Sequence, residues 1–176
     1  IDRATRLVEQ MLALARHEAS MASGATPEPV DLSEVARLAV SDAVAAAQAR
    51  GIDIGITHAD AAVVSGQSEA LRMLLRNLLE NAVKYTPVEG RVDIAIARRD
   101  DAVELSVDDS GPGLPEAERE RVLDRFYRSG ETQAPGSGLG LAIVKSIAEL
   151  HGATVALDAS PSLGGLRVLV RFPAHA

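Results

Sequence analysis

The residues with the clearest chemical character lie in the segment Asn-Leu-Leu-Glu-Asn-Ala-Val-Lys-Tyr, which runs from Asn77 to Tyr85. At about 100° per residue, Asn77, Asn81 and Lys84 fall on one side of a helix and leucines fall on the other. Tyr85 lies at the border between the two sides. Asn is a middling helix former that competes for backbone hydrogen bonds, so two of them one turn apart are unusual on a solvent face. The pattern indicates a face that holds a ligand; the alternative is a solvated face that happens to carry two Asn.

A second candidate site is the segment Asp-Ser-Gly-Pro-Gly from Asp109 to Gly113, which follows a predicted strand. Gly111 and Gly113 permit close backbone approaches that a Cβ would block. The Asp109 carboxylate at the mouth of such a loop can accept a hydrogen bond from an exocyclic amine such as that of adenine. An ordinary Asp-led turn fits this segment equally well.

A third candidate is Gly-Ser-Gly-Leu-Gly from Gly136 to Gly140, which leads directly into a predicted helix. Free N–H groups and the positive end of a helix dipole make such a junction a natural phosphate cradle. The segment is not a Walker A loop, because Val144 stands where a Gly should precede the Lys. Nor is it the dinucleotide fingerprint, because Leu141 replaces the third Gly. Taken alone, such a loop is more often a flexible linker.

Together and in order, four segments resemble the N, G1, F and G2 boxes of the ATP-binding domain of bacterial sensor histidine kinases. That domain belongs to the wider gyrase, heat-shock-chaperone, histidine-kinase and MutL superfamily. The resemblance covers residues from about 30 to 176 and rests on these segments: Asn77–Tyr85, Asp109–Gly113, Phe126-Tyr127-Arg128 and Gly136–Leu141.

The resemblance implies ATP and Mg²⁺ as cofactors and gives the matching residues their roles. Asn77 and Asn81 would hold the Mg²⁺ as neutral oxygen ligands suited to a hard cation. Lys84 and Tyr85 would lie near the phosphates and the ribose. Asp109 would accept a hydrogen bond from the adenine amine, with Gly111 and Gly113 shaping the pocket floor.

The same resemblance places a lid over residues 129–137. Phe126 would anchor this lid, and Arg128 would help to neutralise the terminal phosphate. Gly138 and Gly140 would bring backbone amides onto the phosphates. Three further residues complete the predicted nucleotide-binding set: Tyr127, Gly136 and Leu139. The residues expected to act in catalysis are Asn77, Lys84 and Arg128.

The residue type at position 77 separates two chemistries. In the hydrolytic relatives, the residue one turn before the metal-binding Asn is a Glu that activates water. Asn77 cannot act as a general base near neutral pH, so the site suits ATP held for transfer to another nucleophile. Glu80 directly precedes Asn81, but it points about 100° away from Asn81 on the helical wheel.

The sequence departs from the family pattern in two places. No motif of the His-Glu-Leu-Arg-Thr-Pro kind carries an acceptor His; His17 reads as a surface residue of the second helix of the dimerisation hairpin. We therefore expect the chain, which opens on Ile1, to be a piece of a longer protein, cut after the acceptor helix. In the last strand, Arg167 is expected where many relatives carry a Thr near the adenine pocket.

Composition narrows the class of protein. A net charge of −7 argues against a general nucleic-acid binder. The absence of Cys removes disulfides and thiolate metal sites and fits a reducing compartment. No apolar run approaches the roughly 18 residues needed to span a bilayer. The resemblance implies the cytoplasmic portion of an inner-membrane sensor, of which this chain would be a soluble fragment.

The order of predicted elements favours an α+β fold, and the resemblance implies a two-layer α/β sandwich of the Bergerat type. Its mixed, mostly antiparallel sheet is covered by helices on one face and is preceded by an N-terminal helix. Residues 1–26 are expected to be the second helix of the dimerisation hairpin and a linker, and residues 27–176 the ATP-binding catalytic domain. The linker is predicted over Gly24 to Pro29, because Pro27 and Pro29 cannot continue a helix.

The leading hypothesis is the catalytic domain of a two-component sensor kinase. Its expected partners are a second copy of the chain, the helix with the acceptor His, and a response regulator. An ATP hydrolase of the same superfamily and a non-catalytic nucleotide-binding or dimerisation module remain alternatives. A Ser/Thr kinase of the anti-sigma-factor type is disfavoured by the N-terminal helix.

Overall fold

The computed structural model describes residues 4–5, 8–9, 11–12, 15, 26–125, 127 and 138–174. The described residues before position 26 are all helical and exposed. Three of them are large apolar side chains, Val8, Met11 and Leu12, each about half exposed. No helix in the part of the chain that the structure describes is long and apolar enough to cross a membrane.

The first strand, β1 (Glu28–Asp31), falls where the sequence predicts a linker, so the predicted linker boundary at Pro29 is wrong. It pairs antiparallel with β3 (Val63–Gly66) in a separate two-stranded sheet. Proline is tolerated there because an edge strand does not need every N–H group for pairing.

Helix α1 (Leu32–Gln48) follows β1 directly. The Asp31 carboxylate caps this helix by accepting a hydrogen bond from the Ser33 N–H group at 2.8 Å. The chain turns at Gly51, whose φ of 65° lies in the left-handed region, and then enters the main sheet.

The main sheet has five strands in the order β2-β4-β5-β7-β6. Strand β2 is parallel to β4, and the other neighbours are antiparallel, which confirms the predicted mixed, mostly antiparallel sheet. The strands are β2 (Asp53–Ala59), β4 (Arg91–Arg98), β5 (Ala102–Asp109), β6 (Thr154–Ala159) and β7 (Leu166–Pro173).

Helix α2 (Ser68–Tyr85) packs between α1 and α4 (Gly140–Leu150), and these helices cover one face of the sheet. A short helix, α3 (Glu116–Arg119), and a 3₁₀ turn (Arg121–Leu123) follow β5. Leucines of α2 and branched side chains of the sheet form the interior. The fully buried members include Leu71, Leu74, Leu75, Leu78, Ile94, Ile96, Leu105 and Ile143. This is the α+β two-layer arrangement that the sequence predicts.

Candidate functional site

Asn77 lies on α2 but does not face solvent, because only 8% of it is exposed. Its Nδ2 donates to the Met73 carbonyl at 2.8 Å, which leaves Oδ1 as the atom that faces outward from this pairing. A methyl group on Gly140 would lie 3.8 Å from Asn77 Oδ1, so this oxygen faces the start of α4. Asn81, one turn later, is half-buried. Asn77 therefore lies against the start of α4 rather than on an ordinary solvent face, with the half-buried Asn81 one turn further along α2.

The start of α4 has the features of an anion site. Its N-cap residue, Leu139, makes no side-chain cap hydrogen bond, and among the described residues the first hydrogen bond of the helix runs from the Ile143 N–H group to the Leu139 carbonyl at 2.9 Å. The N–H groups of the first turn precede that ladder and point out of the helix at its positive end. Gly138, with a φ of 73°, makes the turn into the helix. Leu139 is buried in the core, so only its backbone can approach a ligand.

Lys84 and Tyr85 lie at the other end of the same helix face. The Lys84 ammonium donates to the Tyr85 hydroxyl at 3.0 Å and lies 4.6 Å from the centre of the ring. Both residues are half-buried. The nine residues from Asn77 to Tyr85 span about 12 Å of helix, which suits an elongated ligand lying along it.

Asp109 ends strand β5 and is only 5% exposed. Its Oδ1 accepts hydrogen bonds from the N–H groups of Gly111 at 2.9 Å and Leu166 at 3.1 Å. No described residue donates to Oδ2, which leaves that oxygen available for a ligand. Burial raises the pKa of this carboxyl, the two N–H groups oppose the rise, and the Asp108 charge adds to it.

Gly111 connects the α2 face to the Asp109 loop. A Cβ at this position would lie 2.7 Å from the Tyr85 carbonyl oxygen and 2.9 Å from Asp109 Oδ1. Only a glycine fits between these two atoms without a shift. The end of α2 and the Asp109 carboxylate are therefore neighbours.

Gly165, which was not among the predicted site residues, lies against the Asp109 loop. The Gly165 N–H group donates to the Asp109 carbonyl at 3.1 Å. A Cβ on Gly165 would lie 2.3 Å from that carbonyl oxygen and 2.6 Å from the Gly111 nitrogen. The Gly164-Gly165 pair in the turn between β6 and β7 is a sequence signal that could have indicated this close approach.

Arg167 does not lie in the place expected for it. It is directed to the other face of the sheet, where its guanidinium forms two hydrogen bonds with the Asp108 carboxylate at 2.9 and 3.0 Å. Leu166, one residue earlier, is the member of β7 that lies beside Asp109. Successive strand residues point to opposite faces, so a displacement of one position changed the face. Leu166 carries no hydroxyl, so its contact with Asp109 is made by its backbone.

Several predicted site residues fall outside the described part of the chain: Phe126, Arg128, Gly136 and the predicted lid over residues 129–137. Tyr127 is described, and its half-buried ring packs against the core with the Arg121 guanidinium 4.6 Å from its centre. Gly113, with a φ of 70°, packs close to Gly165 and so shapes the loop floor as expected.

The donor set restricts the metal that the site could hold. The described residues contain no cluster of three His, Cys, Asp or Glu side chains able to bind a metal. The available ligands are the amide oxygens of Asn77 and Asn81, which suit a hard cation that keeps several waters and also binds ligand phosphates. The buried Asn77 oxygen facing the anion site at Gly140 fits Mg²⁺ carried in with a nucleotide.

Glu80 lies on the exposed side of α2, whereas Asn77 is buried, as the helical wheel predicts for residues that point in different directions. It is exposed and forms an ion pair with Arg76 at 3.1 Å across one turn of α2. Its carboxylate is therefore paired with Arg76 in solvent, which does not favour a role for it as a base.

Comparison with known proteins agrees with this geometry. The sequence matches the family described as histidine kinase-, DNA gyrase B-, and HSP90-like ATPase over residues 66–176. The sensor protein QseC of Salmonella typhi is 38% identical over 173 residues, which are 98% of this chain and 37% of QseC. The chain thus spans well under half the length of this relative.

Two solved structures show the same fold. The mycobacterial sensor histidine kinase MprB has a TM-score of 0.74 at 35% identity, covering 85% of this chain and 98% of that one. The ATP binding domain of PrrB from Mycobacterium tuberculosis has a TM-score of 0.71 at 32% identity, covering 86% and 100%. The chain therefore belongs to the histidine kinase-, DNA gyrase B- and HSP90-like ATPase family. Within that family its relatives are sensor histidine kinases, which confirms the resemblance.

Proposed function

We propose that this domain binds ATP with Mg²⁺ and donates the γ-phosphoryl group to a histidine that lies outside these 176 residues. The observation that carries the proposal is the buried Asn77 facing the start of α4, at the position where a hydrolytic site needs a base. The site can hold and neutralise a triphosphate, but none of its described residues is placed to activate water.

Phosphoryl transfer needs positioning and charge neutralisation more than covalent help from the protein. Asp109 Oδ2 would accept from the adenine amine, and the first-turn N–H groups of α4 would hold phosphate oxygens. Lys84 would lie near the phosphates with Tyr85 near the ribose, and Arg128 would help to neutralise the terminal phosphate. As the histidine nitrogen bonds to the γ-phosphorus, the bond to the β–γ bridging oxygen breaks and ADP leaves.

When bound, Mg²⁺ would neutralise charge on the phosphates, with Asn77 and Asn81 as its protein ligands. We expect Asn81→Ala and Asn77→Ala to remove most of the gain in ATP affinity that Mg²⁺ provides, a loss of about 10-fold. Titration calorimetry with Mg²⁺ and with EDTA measures this gain. An undiminished Mg²⁺ effect in both variants would contradict the assignment.

Phosphate release separates transfer from hydrolysis. The chain should bind ATP at micromolar to millimolar strength, release phosphate slowly and label poorly by itself. We expect Glu80→Gln to leave phosphate release unchanged within about twofold, because an exposed ion pair contributes little. Fast release that Glu80→Gln abolishes would favour the hydrolase alternative, and strong self-labelling would overturn the external acceptor.

The remaining parts of the proposal follow the relatives. We propose that residues 1–26 belong to a helical dimerisation and phosphotransfer unit, with a second kinase chain as partner. The half-exposed apolar side chains of Val8, Met11 and Leu12 support this. A response regulator would receive the phosphoryl group. A solved relative is described as the cytoplasmic segment of the histidine kinase QseC, which supports a cytoplasmic domain of an anchored sensor.

A further inference from the structure

Arg50, in the turn after α1, reaches across to the end of α2. Its Nη1 donates to the carbonyls of Val83 and, at 3.3 Å, Lys84, and its Nη2 donates to the Thr86 carbonyl at 2.8 Å. All three acceptors are backbone oxygens, more than thirty residues away along the chain. No described carboxylate forms an ion pair with Arg50, and the described hydrogen bonds of its guanidinium all go to carbonyls at the end of α2.

The end of α2 needs such a partner. The last carbonyls of a helix lack intrahelical donors, and the negative end of the helix dipole favours a cation. Thr86 donates two hydrogen bonds to the Ala82 carbonyl, one from its N–H group at 3.0 Å and one from its hydroxyl at 2.7 Å. Arg50 donates to the next two carbonyls, those of Val83 and Lys84. The Tyr85 carbonyl lies against Gly111.

The backbone of Arg50 makes a second attachment. Its carbonyl accepts from the Glu89 N–H group at 3.1 Å, and the Asp53 N–H group donates to the Gly90 carbonyl at 2.9 Å. The chain leaving α2 is therefore fixed to the α1–β2 turn at both of its ends.

We propose that Arg50 is a positioning residue of the nucleotide site. It does not contact the ligand; it holds the last turn of α2 so that Lys84 and Tyr85 meet the nucleotide and the Tyr85 carbonyl stays against Gly111. The inference rests on the proposed function, because it requires that Lys84 contacts ATP.

A double-mutant cycle on ATP affinity tests this inference, using Arg50→Ala, Lys84→Ala and the double variant with wild type. We expect Arg50→Ala to weaken ATP·Mg²⁺ binding by about 10-fold, since small misplacements of a contact group are costly. If Arg50 acts through Lys84, the ATP affinity of the double variant should be within about twofold of that of the single variant that binds ATP more weakly. Arg72→Ala is the control, because Arg72 also joins α2 to α1, through an exposed ion pair with Asp42 at 2.8 Å.

Two results would overturn the role of Arg50. One is an Arg50→Ala variant that binds ATP like wild type. The other is a double variant whose loss of ATP affinity equals the product of the two single losses, as expected if Arg50→Ala destabilises the protein generally. If Arg50→Ala is unfolded by circular dichroism, Arg50→Lys replaces it, with an expected loss of about threefold because an ammonium cannot span both guanidinium arms. Wild type that fails to bind ATP would instead overturn the proposed function.

Discussion

Replacing Asp109 by Asn is expected to weaken ATP binding by about 10- to 100-fold. The loss arises because a buried donor on the protein would then face a donor on the adenine, and neither would have an acceptor. The Asn oxygen can accept the same two hydrogen bonds from Gly111 and Leu166, so the loop should keep its shape. The Asn nitrogen then takes the place of Oδ2 and presents a donor to the adenine amine, which is also a donor. Titration calorimetry with ATP·Mg²⁺ measures the loss.

The same substitution should raise the melting temperature of the free protein. Because the pKa of Asp109 is raised by burial, its ionised carboxylate costs stability above that pKa. In the wild type this cost is relieved as pH falls through the raised pKa toward about 3.8, the ordinary value. The increase in melting temperature of the Asn variant over wild type should therefore be largest near neutral pH and shrink as the buffer is acidified. Thermal melts of both proteins from about pH 7 to about pH 4 follow this difference.

Asp108→Asn provides the matched control for Asp109→Asn. Asp108 is the neighbouring residue and is also buried, but its carboxylate pairs with Arg167 on the opposite face of the sheet. Its loss should lower the melting temperature and leave ATP affinity within about twofold of wild type. Equal loss of ATP affinity in the two variants would contradict the assignment of the adenine contact to Asp109.

The second large effect is expected for Gly165→Ala. The new Cβ would lie 2.3 Å from the Asp109 carbonyl oxygen and 2.4 Å from Asp109 Oδ1. Because the carbonyl belongs to the backbone at the end of β5, the strand end must shift. We expect a loss of about 1–3 kcal/mol in the free energy of unfolding, typical of overpacking. We also expect ATP affinity to fall by about 10-fold or more, since the acceptor is displaced.

Denaturant unfolding and ATP titration measure the two effects of Gly165→Ala. Gly55→Ala is its control, because no atom lies within 4 Å of a Cβ there and the residue lies in strand β2. That control should change both quantities little. A Gly165→Ala protein with wild-type affinity would show that the β6–β7 turn is not a wall of the site.

The helix from Ser68 to Tyr85 could be predicted because its leucines recur at helical spacing and its Asn recur one turn apart. The sequence did not reveal that Asn77 is buried, because α4 covers it from more than sixty residues further along the chain. Local periodicity defines a face but does not identify the element that packs on it. Only the family resemblance, which rests on the order of the glycine loops, indicated that the start of α4 lies near Asn77.

The last strand shows a different limit. Val168, Val170 and Phe172 alternate on the core face, and the same alternation places Leu166 there and Arg167 on the opposite face. The sequence contained this information, but the position expected from the family pattern was one residue off. The contact of Gly165 with Asp109 could not be derived from local pattern, since it joins two turns far apart in the chain.

The most direct test of the account is a crystal structure with a non-hydrolysable ATP analogue and Mn²⁺, whose anomalous signal locates the metal. The account predicts the adenine amine within hydrogen-bond distance of Asp109 Oδ2 and the metal beside the side-chain oxygens of Asn77 and Asn81. It also predicts phosphate oxygens at the start of α4. A nucleotide bound elsewhere, or a metal held by carboxylates away from α2, would contradict it.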